Sequence, residues 1–153
     1  MVFELREITQ DNLRAVTKVR VADDQRRFVA DVVDSLAEAY VAPDVAWPRA
    51  VVDGDEVVGF VMGGFDDAPG DWWPDGPLHA VWRLNVAADH QGRGIGRFAV
   101  EQLVGEARRR GVERLTVFYV DEDGGPGRFY ERLGFVKDGR VLGDEVVAVL
   151  ALA

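Results

Sequence analysis

The sequence predicts an α/β (α+β) fold in which strands and helices follow one another in the order β-α-α-β-β-β-α-β-α-β-β. Apolar runs of strand length alternate along the chain with stretches of helical periodicity. A glycine-rich segment joins one of these strands to the longest helix. The 153 residues, 48% of them hydrophobic, suffice for the core of one domain, which is predicted to span residues 1–153.

The first 40 residues predict one strand and two helices. Residues 2–8 alternate apolar and polar side chains, which is typical of a strand. Thr9 is the predicted N-cap of a helix that runs to about residue 20. Apolar side chains then recur at helical spacing over residues 28–40, opposite an acidic face. The apolar stripe consists of Phe28, Val29, Val32, Val33, Leu36 and Tyr40, and the acidic face carries Asp31, Asp34 and Glu38.

The remaining chain predicts a hairpin followed by alternating strands and helices. Pro43 and Pro48 bracket a predicted loop. Residues 50–52 and 57–62 are predicted strands, because Asp53-Gly54 between them favours a tight hairpin turn. The later predicted elements are a loop at residues 66–77, a strand at 78–87, a glycine loop, a helix at 97–110, a strand at 112–120, a loop at 121–127, a short helix at 128–133 and strands at 135–141 and 145–152.

Composition excludes several classes of function. The formal net charge of −9 argues against nucleic-acid binding, which needs a basic surface, and weakly favours a cationic partner. The chain has no cysteine, which excludes disulfides, thiolate metal sites and a cysteine nucleophile. His79 and His90 show no metal-ligand spacing, so we expect no metal. No apolar run reaches about 18 residues and the N-terminus lacks a signal-peptide pattern, so we expect no membrane association and a cytoplasmic location.

The segment Gln91-Gly92-Arg93-Gly94-Ile95-Gly96 is the strongest indication of a ligand site. Glycines let a backbone approach a ligand closely, and the first N–H groups of the following helix have no partner within it. Such a segment favours a phosphate-bearing ligand, although a plain turn between strand and helix is the alternative. The glycine spacing differs from the G-x-G-x-x-G of dinucleotide folds, and the Gly-Lys-Ser/Thr ending of a P-loop is absent.

Residues 84–96 resemble the acetyl-CoA motif of the GNAT N-acetyltransferases. Residues 128–135, from Arg128 to Phe135, are similar to the C-terminal signature of that family, although a short helix capped by Gly134 gives the same pattern. The resemblance implies a mixed, twisted and partly split sheet flanked by helices. It also implies acetyl-CoA as co-substrate, bound between the strands at 78–87 and 112–120.

The resemblance assigns a set of residues to acetyl-CoA. The backbone of the fourth strand would pair with the pantetheine arm much like an added strand, and the glycine loop would hold the pyrophosphate. Asp123 stands where many relatives carry an asparagine that contacts the coenzyme. For the side chains of Arg93 and Arg97, solvated surface is the alternative. The assigned residues are Leu84, Asn85, Val86, Gln91, Gly92, Arg93, Gly94, Ile95, Gly96, Arg97, Asp123 and Tyr130.

The implied reaction is direct attack of an amine on the thioester in a ternary complex. A bulge in the fourth strand would free backbone N–H groups around Leu84 and Asn85 to stabilise the oxyanion. Tyr130 matches the family tyrosine that protonates the leaving thiolate, although an ordinary core aromatic is the alternative. Some relatives place an acidic base on the fourth strand, but Val81-Trp82-Arg83 contains no acid. Glu38, Asp34 and His79 are the candidate bases, and water could also relay the proton.

The acceptor is predicted to be a small polycation such as a polyamine. Residues 25–40, 58–62, 83–84 and 123–135 resemble bacterial spermine/spermidine (diamine) acetyltransferase-like members of the family. A loop with Asp66, Asp67, Asp71, Trp72, Trp73 and Asp75 suits ammonium groups, unless it is a solvated loop with one tryptophan packed inward. The alternatives are an aminoglycoside- or streptothricin-like antibiotic, a protein amine, or a CoA-binding sensor without turnover. A homodimer is possible.

Overall fold

The computed structural model describes residues 2–152, which form a seven-stranded sheet flanked by helices. Two 3₁₀ segments, at Asp23–Phe28 and Ala88–His90, supplement the predicted element order, which is confirmed. The elements are β1 (Phe3–Arg6), α1 (Leu13–Thr17), α2 (Val32–Val41), β2 (Ala46–Asp53), β3 (Glu56–Asp67), β4 (Leu78–Val86), α3 (Ile95–Arg109), β5 (Arg114–Val120), α4 (Gly127–Arg132), β6 (Val136–Leu142) and β7 (Glu145–Ala151).

The strand order is β1-β2-β3-β4-β5-β7-β6, and neighbouring strands are antiparallel except for β4 and β5. The parallel pair is held by only two register positions, Ala80 opposite Thr116 and Val81 opposite Val117. Beyond Val81 the two strands are no longer paired, so the sheet opens along β4. The predicted mixed and partly split sheet is therefore confirmed.

The sheet buries apolar side chains on both faces. One face packs against α3 through Ile95, Leu103 and their neighbours, and α4 adds Tyr130 to the same cluster. The opposite face packs against α1 and α2. Consecutive residues of a strand point to opposite faces, so Phe60 joins the second cluster and Val61 the first. This two-sided burial explains the unbroken apolar run of β3.

Two predicted strand boundaries are wrong. Pro48 lies within β2, opposite Met62 of β3, instead of bracketing a loop. Proline is tolerated there because β1 pairs only with residues 50–53, which leaves Pro48 on an open edge of the sheet. The loop predicted at residues 66–77 starts later, since β3 continues through Asp67.

The two N-terminal helices are shorter than predicted. Asn12 is the N-cap of α1, and the amide of Thr9 donates to its Oδ1. Phe28 and Val29 precede α2, whose inward face carries Val32, Ser35, Leu36 and Ala39. Two members of the predicted stripe instead face solvent, Val33 with 54% and Tyr40 with 85% of its surface exposed. The predicted stripe is wrong because it includes Phe28 and Val29, which lie before α2 and do not follow its helical periodicity.

Candidate active site

A cleft of about 1000 Å³, called here the large cleft, opens where β4 and β5 separate. Its walls come from residues 81–84 and 86 of β4, the end of β5, the segment around the first 3₁₀ turn, the glycine loop and α4. Leu84 and Val86, both predicted to face the ligand through their backbone, line it. The split of the sheet, rather than any one helix, therefore creates the site.

A β-bulge lies at the mouth of this cleft. Met62 of β3 is opposite Arg83, but the next residue, Gly63, is opposite Val81, so Trp82 has no partner in β3. Pairing with β5 ends at Val81, which leaves Trp82 without a cross-strand partner on that side as well. The bulge predicted around Leu84 and Asn85 therefore lies two to three residues earlier, because both of those residues keep regular register with β3.

Asn85 is buried away from the large cleft. Its Nδ2 donates to the carbonyl oxygen of Ala30 at 3.0 Å, which ties β4 to the segment before α2. Its Oδ1 is buried and has no hydrogen-bond partner among residues 2–152. The Asn85 side chain therefore stabilises the contact between β4 and the segment before α2. Only the backbone of Asn85 is left to contact a ligand.

The glycine loop ends in an uncapped helix N-terminus that borders the large cleft. Gly92 and Gly94 have φ angles of +77° and +83°, a left-handed conformation that favours glycine. Gly94 is the N-cap of α3, which has no side-chain cap and starts at Ile95, earlier than predicted. The first helical hydrogen bond runs from Phe98 N to Gly94 O, so the preceding N–H groups have no acceptor within the helix.

Neighbouring side chains hold this loop in place. Gln91 Nε2 donates to Gln25 Oε1 at 2.6 Å and to the carbonyl oxygen of Val86 at 3.3 Å. A Cβ on Gly96 would lie 3.1 Å from the ring of Phe129, so the absence of a side chain lets α3 approach α4. Gln91, Gly92, Gly94, Ile95 and Gly96 all line the large cleft.

The two arginines of the loop differ in position. Arg97 lines the large cleft, and its Nη1 lies 3.2 Å from Glu101 Oε1. Arg93 is outside the lining, because its Nη2 pairs with Asp53 Oδ2 at 2.6 Å near the β2–β3 turn and holds the pKa of Asp53 below its ordinary value. Of the two arginines, only Arg97 lies where the prediction placed it.

The cleft lining omits one further predicted residue and includes two arginines that were not predicted. Asp123 is exposed and lies outside the lining, whereas the following residues 124–126 take part in it. Sequence analysis missed Arg27, which is ion-paired with Glu122, and Arg132 of α4. Arg27 lies within residues 25–40, which resemble one group of the family, but that resemblance gave Arg27 no role.

Tyr130 lies at the floor of the large cleft with 7% of its surface exposed. Its ring stacks on Tyr119, with centroids 5.7 Å apart, and meets Phe135 edge-on at 5.5 Å. Burial, with a smaller contribution from Tyr119, raises the pKa of the Tyr130 hydroxyl above its usual value. The phenol therefore stays protonated at neutral pH and can act as a proton donor.

Arg83 occupies the boundary of the large cleft beside the bulge. Its Nη2 lies 2.7 Å from Glu38 Oε2, and its Nη1 donates to the carbonyl oxygen of Trp82 at 2.9 Å. The buried Nε finds no partner in the described part of the chain. Glu38, a predicted base, therefore lies against Arg83 and outside the cleft lining.

The other candidate bases lie further away. His79 Nδ1 accepts from the amide of Asp66 at 3.1 Å, and Asp34 is exposed on α2. Neither lines the large cleft. The structure therefore brings neither candidate base to the wall of the large cleft.

A second cavity of about 320 Å³, called here the small cavity, adjoins the large cleft. The two share Val81, Trp82, Arg83, Phe118 and Glu145 in their walls. The small cavity adds Asp67 and the exposed indole of Trp72. It combines two carboxylates, two indoles and one arginine that already pairs with Glu38.

Glu145 is the residue that sequence analysis missed at this junction. It opens β7, opposite Val120 of β5 and Leu142 of β6. Burial and the charge of Asp144 raise the pKa of its carboxyl, and the charge of Arg83 opposes that rise. Only the strand order, which inserts β7 beside β5, brings this C-terminal acid to β4.

The acidic-aromatic loop contributes less than predicted. Trp73 is buried, with its ring 5.6 Å from that of Phe118 and the guanidinium of Arg140 4.1 Å above it. Asp75 pairs with the same arginine at 2.7 Å. Of the loop residues proposed to face an ammonium group, only Asp67 and Trp72 line the small cavity.

Within residues 2–152, no group of three or more His, Cys, Asp or Glu side chains is arranged to hold a metal ion. In the same range, no helix has the length and apolar character needed to cross a bilayer.

The split mixed sheet, the bulged strand, the glycine loop and the buried tyrosine agree with the acyl-CoA-dependent transferase that the resemblance predicts. The model of the acetyltransferase (GNAT) family matches residues 5–135, and the chain belongs to that family. The predicted assignment to the acyltransferases is confirmed at this level.

Individual proteins similar to the chain include an uncharacterised N-acetyltransferase, ycf52, of Pyropia yezoensis. It is 31% identical over 58 residues, which are 38% of this chain and 32% of that protein. An acetyltransferase from Thermus thermophilus is 25% identical with a TM-score of 0.71, covering 99% of this chain and 98% of that one. The PaiA N-acetyltransferase of Thermoplasma acidophilum, solved with coenzyme A, is 13% identical with a TM-score of 0.72 and covers 99% of both chains.

Proposed function

We propose that this protein transfers the acetyl group of acetyl-CoA to a primary amine of a small polycation such as a polyamine. The observation that carries the proposal is that the large cleft and the acidic, indole-lined small cavity share a wall at the β4 bulge. One substrate would enter each cavity, and the reacting atoms would meet at that wall. Transfer within such a ternary complex needs no covalent enzyme intermediate.

Acetyl-CoA is assigned to the large cleft. Its pyrophosphate would accept from the unpaired N–H groups at the start of α3, where the helix dipole also favours negative charge. Arg97 and Arg132 supply positive charge at the rim. The pantetheine arm would lie along the open edge of β4 from Val86 toward Trp82, which is free because β5 pairs no further than Val81.

The bulge and Tyr130 supply the chemistry at the thioester. The amine nitrogen attacks the carbonyl carbon, and backbone N–H groups beside Trp82 stabilise the oxyanion that forms. When the carbon–sulfur bond breaks, the neutral phenol of Tyr130 donates its proton to the CoA thiolate. Holding both substrates at one wall lowers the entropic part of the barrier.

The small cavity suits a compact cationic acceptor. Asp67 and Glu145 give it two carboxylates, whereas the charge of Arg83 is already balanced by Glu38. The indoles of Trp72 and Trp82 add ring faces that attract ammonium groups. A volume of about 320 Å³ favours a small amine over a folded protein or a large antibiotic.

The proposal is tested by CoA-thiol release from acetyl-CoA with a panel of polyamines, aminoglycosides, streptothricin, amino acids and peptides. We expect turnover with polyamines at a kcat/KM at least tenfold above that of the other amines. Turnover confined to another class would replace the proposed acceptor and keep the reaction. Binding of acetyl-CoA without turnover on any amine would support the sensor alternative.

Replacing Asp67 by asparagine is expected to raise the KM for a polyamine about tenfold and to leave kcat within about twofold. The carboxylate would contact the distal ammonium group, and a loss of about 1.4 kcal/mol is typical of one such partly screened pair. Steady-state kinetics measure the effect. Asp71→Asn is the matched control, because Asp71 lies in the same loop, is exposed and does not line the small cavity. Equal effects of the two variants would contradict the assignment.

Replacing Gly94 by alanine is expected to raise the Kd for acetyl-CoA about tenfold. A left-handed conformation costs an L-residue roughly 1–2 kcal/mol, so the loop would relax and withdraw its N–H groups from the pyrophosphate. Calorimetry measures the affinity. Gly54→Ala is the control, because Gly54 has a φ of +62° in the β2–β3 turn outside the large cleft and bears the same strain. An unchanged Kd in Gly94→Ala would place the pyrophosphate elsewhere.

A further inference from the structure

We propose that Glu145 is the general base that removes the proton from the acceptor amine. The inference rests on the proposed N-acetyltransferase function and adds a catalytic residue to it. A base is required because a primary ammonium group, with a pKa near 10.4, is almost fully protonated at neutral pH and has no lone pair for attack. The strand that carries the bulge offers Val81, Trp82 and Arg83 there, none of which can accept that proton.

The position of Glu145 distinguishes it from the other acids. Asp67 lines only the small cavity, and Glu38 lines neither cavity. Within residues 2–152, Glu145 is the single acid that lines the large cleft, and it also lines the small cavity. An amine that passes from the small cavity toward the thioester must cross the wall to which this carboxylate belongs.

The surroundings of Glu145 make it a better proton acceptor than an exposed glutamate. Burial and Asp144 of the preceding turn favour its protonated form, whereas Arg83 of β4 favours the carboxylate. Asp67 of β3 shares the small cavity, and the phenols of Tyr119 and Tyr130 share the large cleft. A general base works best when its pKa approaches the working pH, and these surroundings move Glu145 in that direction.

Glu38 acts in this arrangement as a positioning residue. Its carboxylate holds Arg83 through the 2.7 Å pair and takes up part of the arginine charge. Arg83 is therefore kept beside Glu145 without forming a direct ion pair with it among the described contacts. A fully engaged arginine would stabilise the carboxylate and weaken it as a base.

The protons balance in the following sequence. One proton passes from the ammonium nitrogen to Glu145, and the freed electron pair forms the carbon–nitrogen bond. The carbon–sulfur bond then breaks, and the thiolate takes the proton of Tyr130. The second nitrogen proton restores the Tyr130 phenol, and Glu145 releases its proton to water through the open cleft. The products are the acetamide, the free thiol of CoA and one proton.

The test compares Glu145→Gln with Asp144→Asn and Glu38→Gln over pH 6 to 10, using the amine that the wild-type protein turns over fastest. We expect Glu145→Gln to lower kcat at pH 7 by about 10²–10⁴-fold, with binding of acetyl-CoA changed by less than about fivefold. The defect should shrink toward pH 10, because solvent then supplies the free amine. Asp144→Asn is the matched charge control and should keep its plateau kcat. Glu38→Gln should keep most of the plateau and move the acidic limb to lower pH.

A loss of activity that is equal at every pH, or a wild-type rate in Glu145→Gln, would overturn the proposal. Wild-type turnover separately tests the proposed function, so failure of the two is distinguishable. A second measurement is independent of any acceptor. Carboxyl NMR titration of the free protein, assigned by comparison with Glu145→Gln, should give Glu145 a pKa above the ordinary value of about 4.3. An ordinary or lower pKa would overturn the proposal for any acceptor.

Discussion

Replacing Tyr130 by phenylalanine is expected to lower kcat by about 10²–10⁴-fold while the Kd for acetyl-CoA stays within about threefold. The substitution removes only the hydroxyl, the group proposed to protonate the CoA thiolate, and general-acid catalysis is typically worth this factor. The ring keeps its contacts with Tyr119, Phe129 and Phe135, so α4 and the adjacent glycine loop should retain their positions. Stopped-flow or steady-state thiol release measures kcat, and calorimetry measures binding.

Tyr119→Phe is the matched control for this variant. Tyr119 also lines the large cleft, but its hydroxyl is buried, has no hydrogen-bond partner among the described residues and is assigned no step of the proposed reaction. We expect kcat within about twofold of the wild-type value and a small gain in stability, because a buried unsatisfied hydroxyl is removed. Equal losses of kcat in the two variants would indicate that the aromatic stack, and not proton donation, carries the effect.

The pH dependence gives a further check on the same role. The acid must be protonated to act, and burial raises the pKa of Tyr130 above its ordinary value of about 10. Deprotonation of Tyr130 should therefore cause no alkaline fall in kcat below about pH 10. A fall centred below pH 10 that disappears in Tyr130→Phe would contradict this description of its surroundings.

The sequence predicted best those features that depend on residues close to one another in the chain. The glycine loop and the helix that follows it depend on backbone conformation within a few residues, although α3 begins at Ile95, two residues earlier than predicted. The position of the bulge depends on the register between β3 and β4, which the sequence of β4 alone does not specify. The prediction therefore placed it at Leu84 and Asn85 instead of Trp82.

Features that depend on strand order could not be predicted from local patterns. Glu145 reaches the bulge only because β7 lies next to β5, and Arg27 reaches the cleft from a 3₁₀ segment that is distant in sequence from the glycine loop and from α4. Arg93 and Arg97 look equivalent in the sequence. Their positions differ because Arg93 forms an ion pair with Asp53, forty residues earlier in the chain. In each case, a contact between residues distant in sequence determines which charged side chain lines the cleft.

Replacing Phe60 by alanine is expected to lower the free energy of unfolding by about 3–5 kcal/mol, as is typical when a fully buried phenylalanine is truncated. Phe60 lies in β3 between Ala50 of β2 and Asn85 of β4, in the cluster that joins the sheet to α1 and α2. A cavity there would remove support from the face that carries Glu38. For a chain of this size, the loss corresponds to a Tm lower by roughly 6–20 °C, which thermal and urea denaturation can measure.

Tyr40→Ala provides the contrasting case, because it also truncates an aromatic residue but at a position that is 85% exposed. We expect a change in the free energy of unfolding below about 0.5 kcal/mol, as is usual for surface positions. The apolar stripe inferred from the sequence would instead bury Tyr40 and give it a loss near that of Phe60. A large loss in Tyr40→Ala would mean that α2 is rotated about its axis. In that case Glu38 would no longer face Arg83, and Glu38 could not act as the positioning residue proposed above.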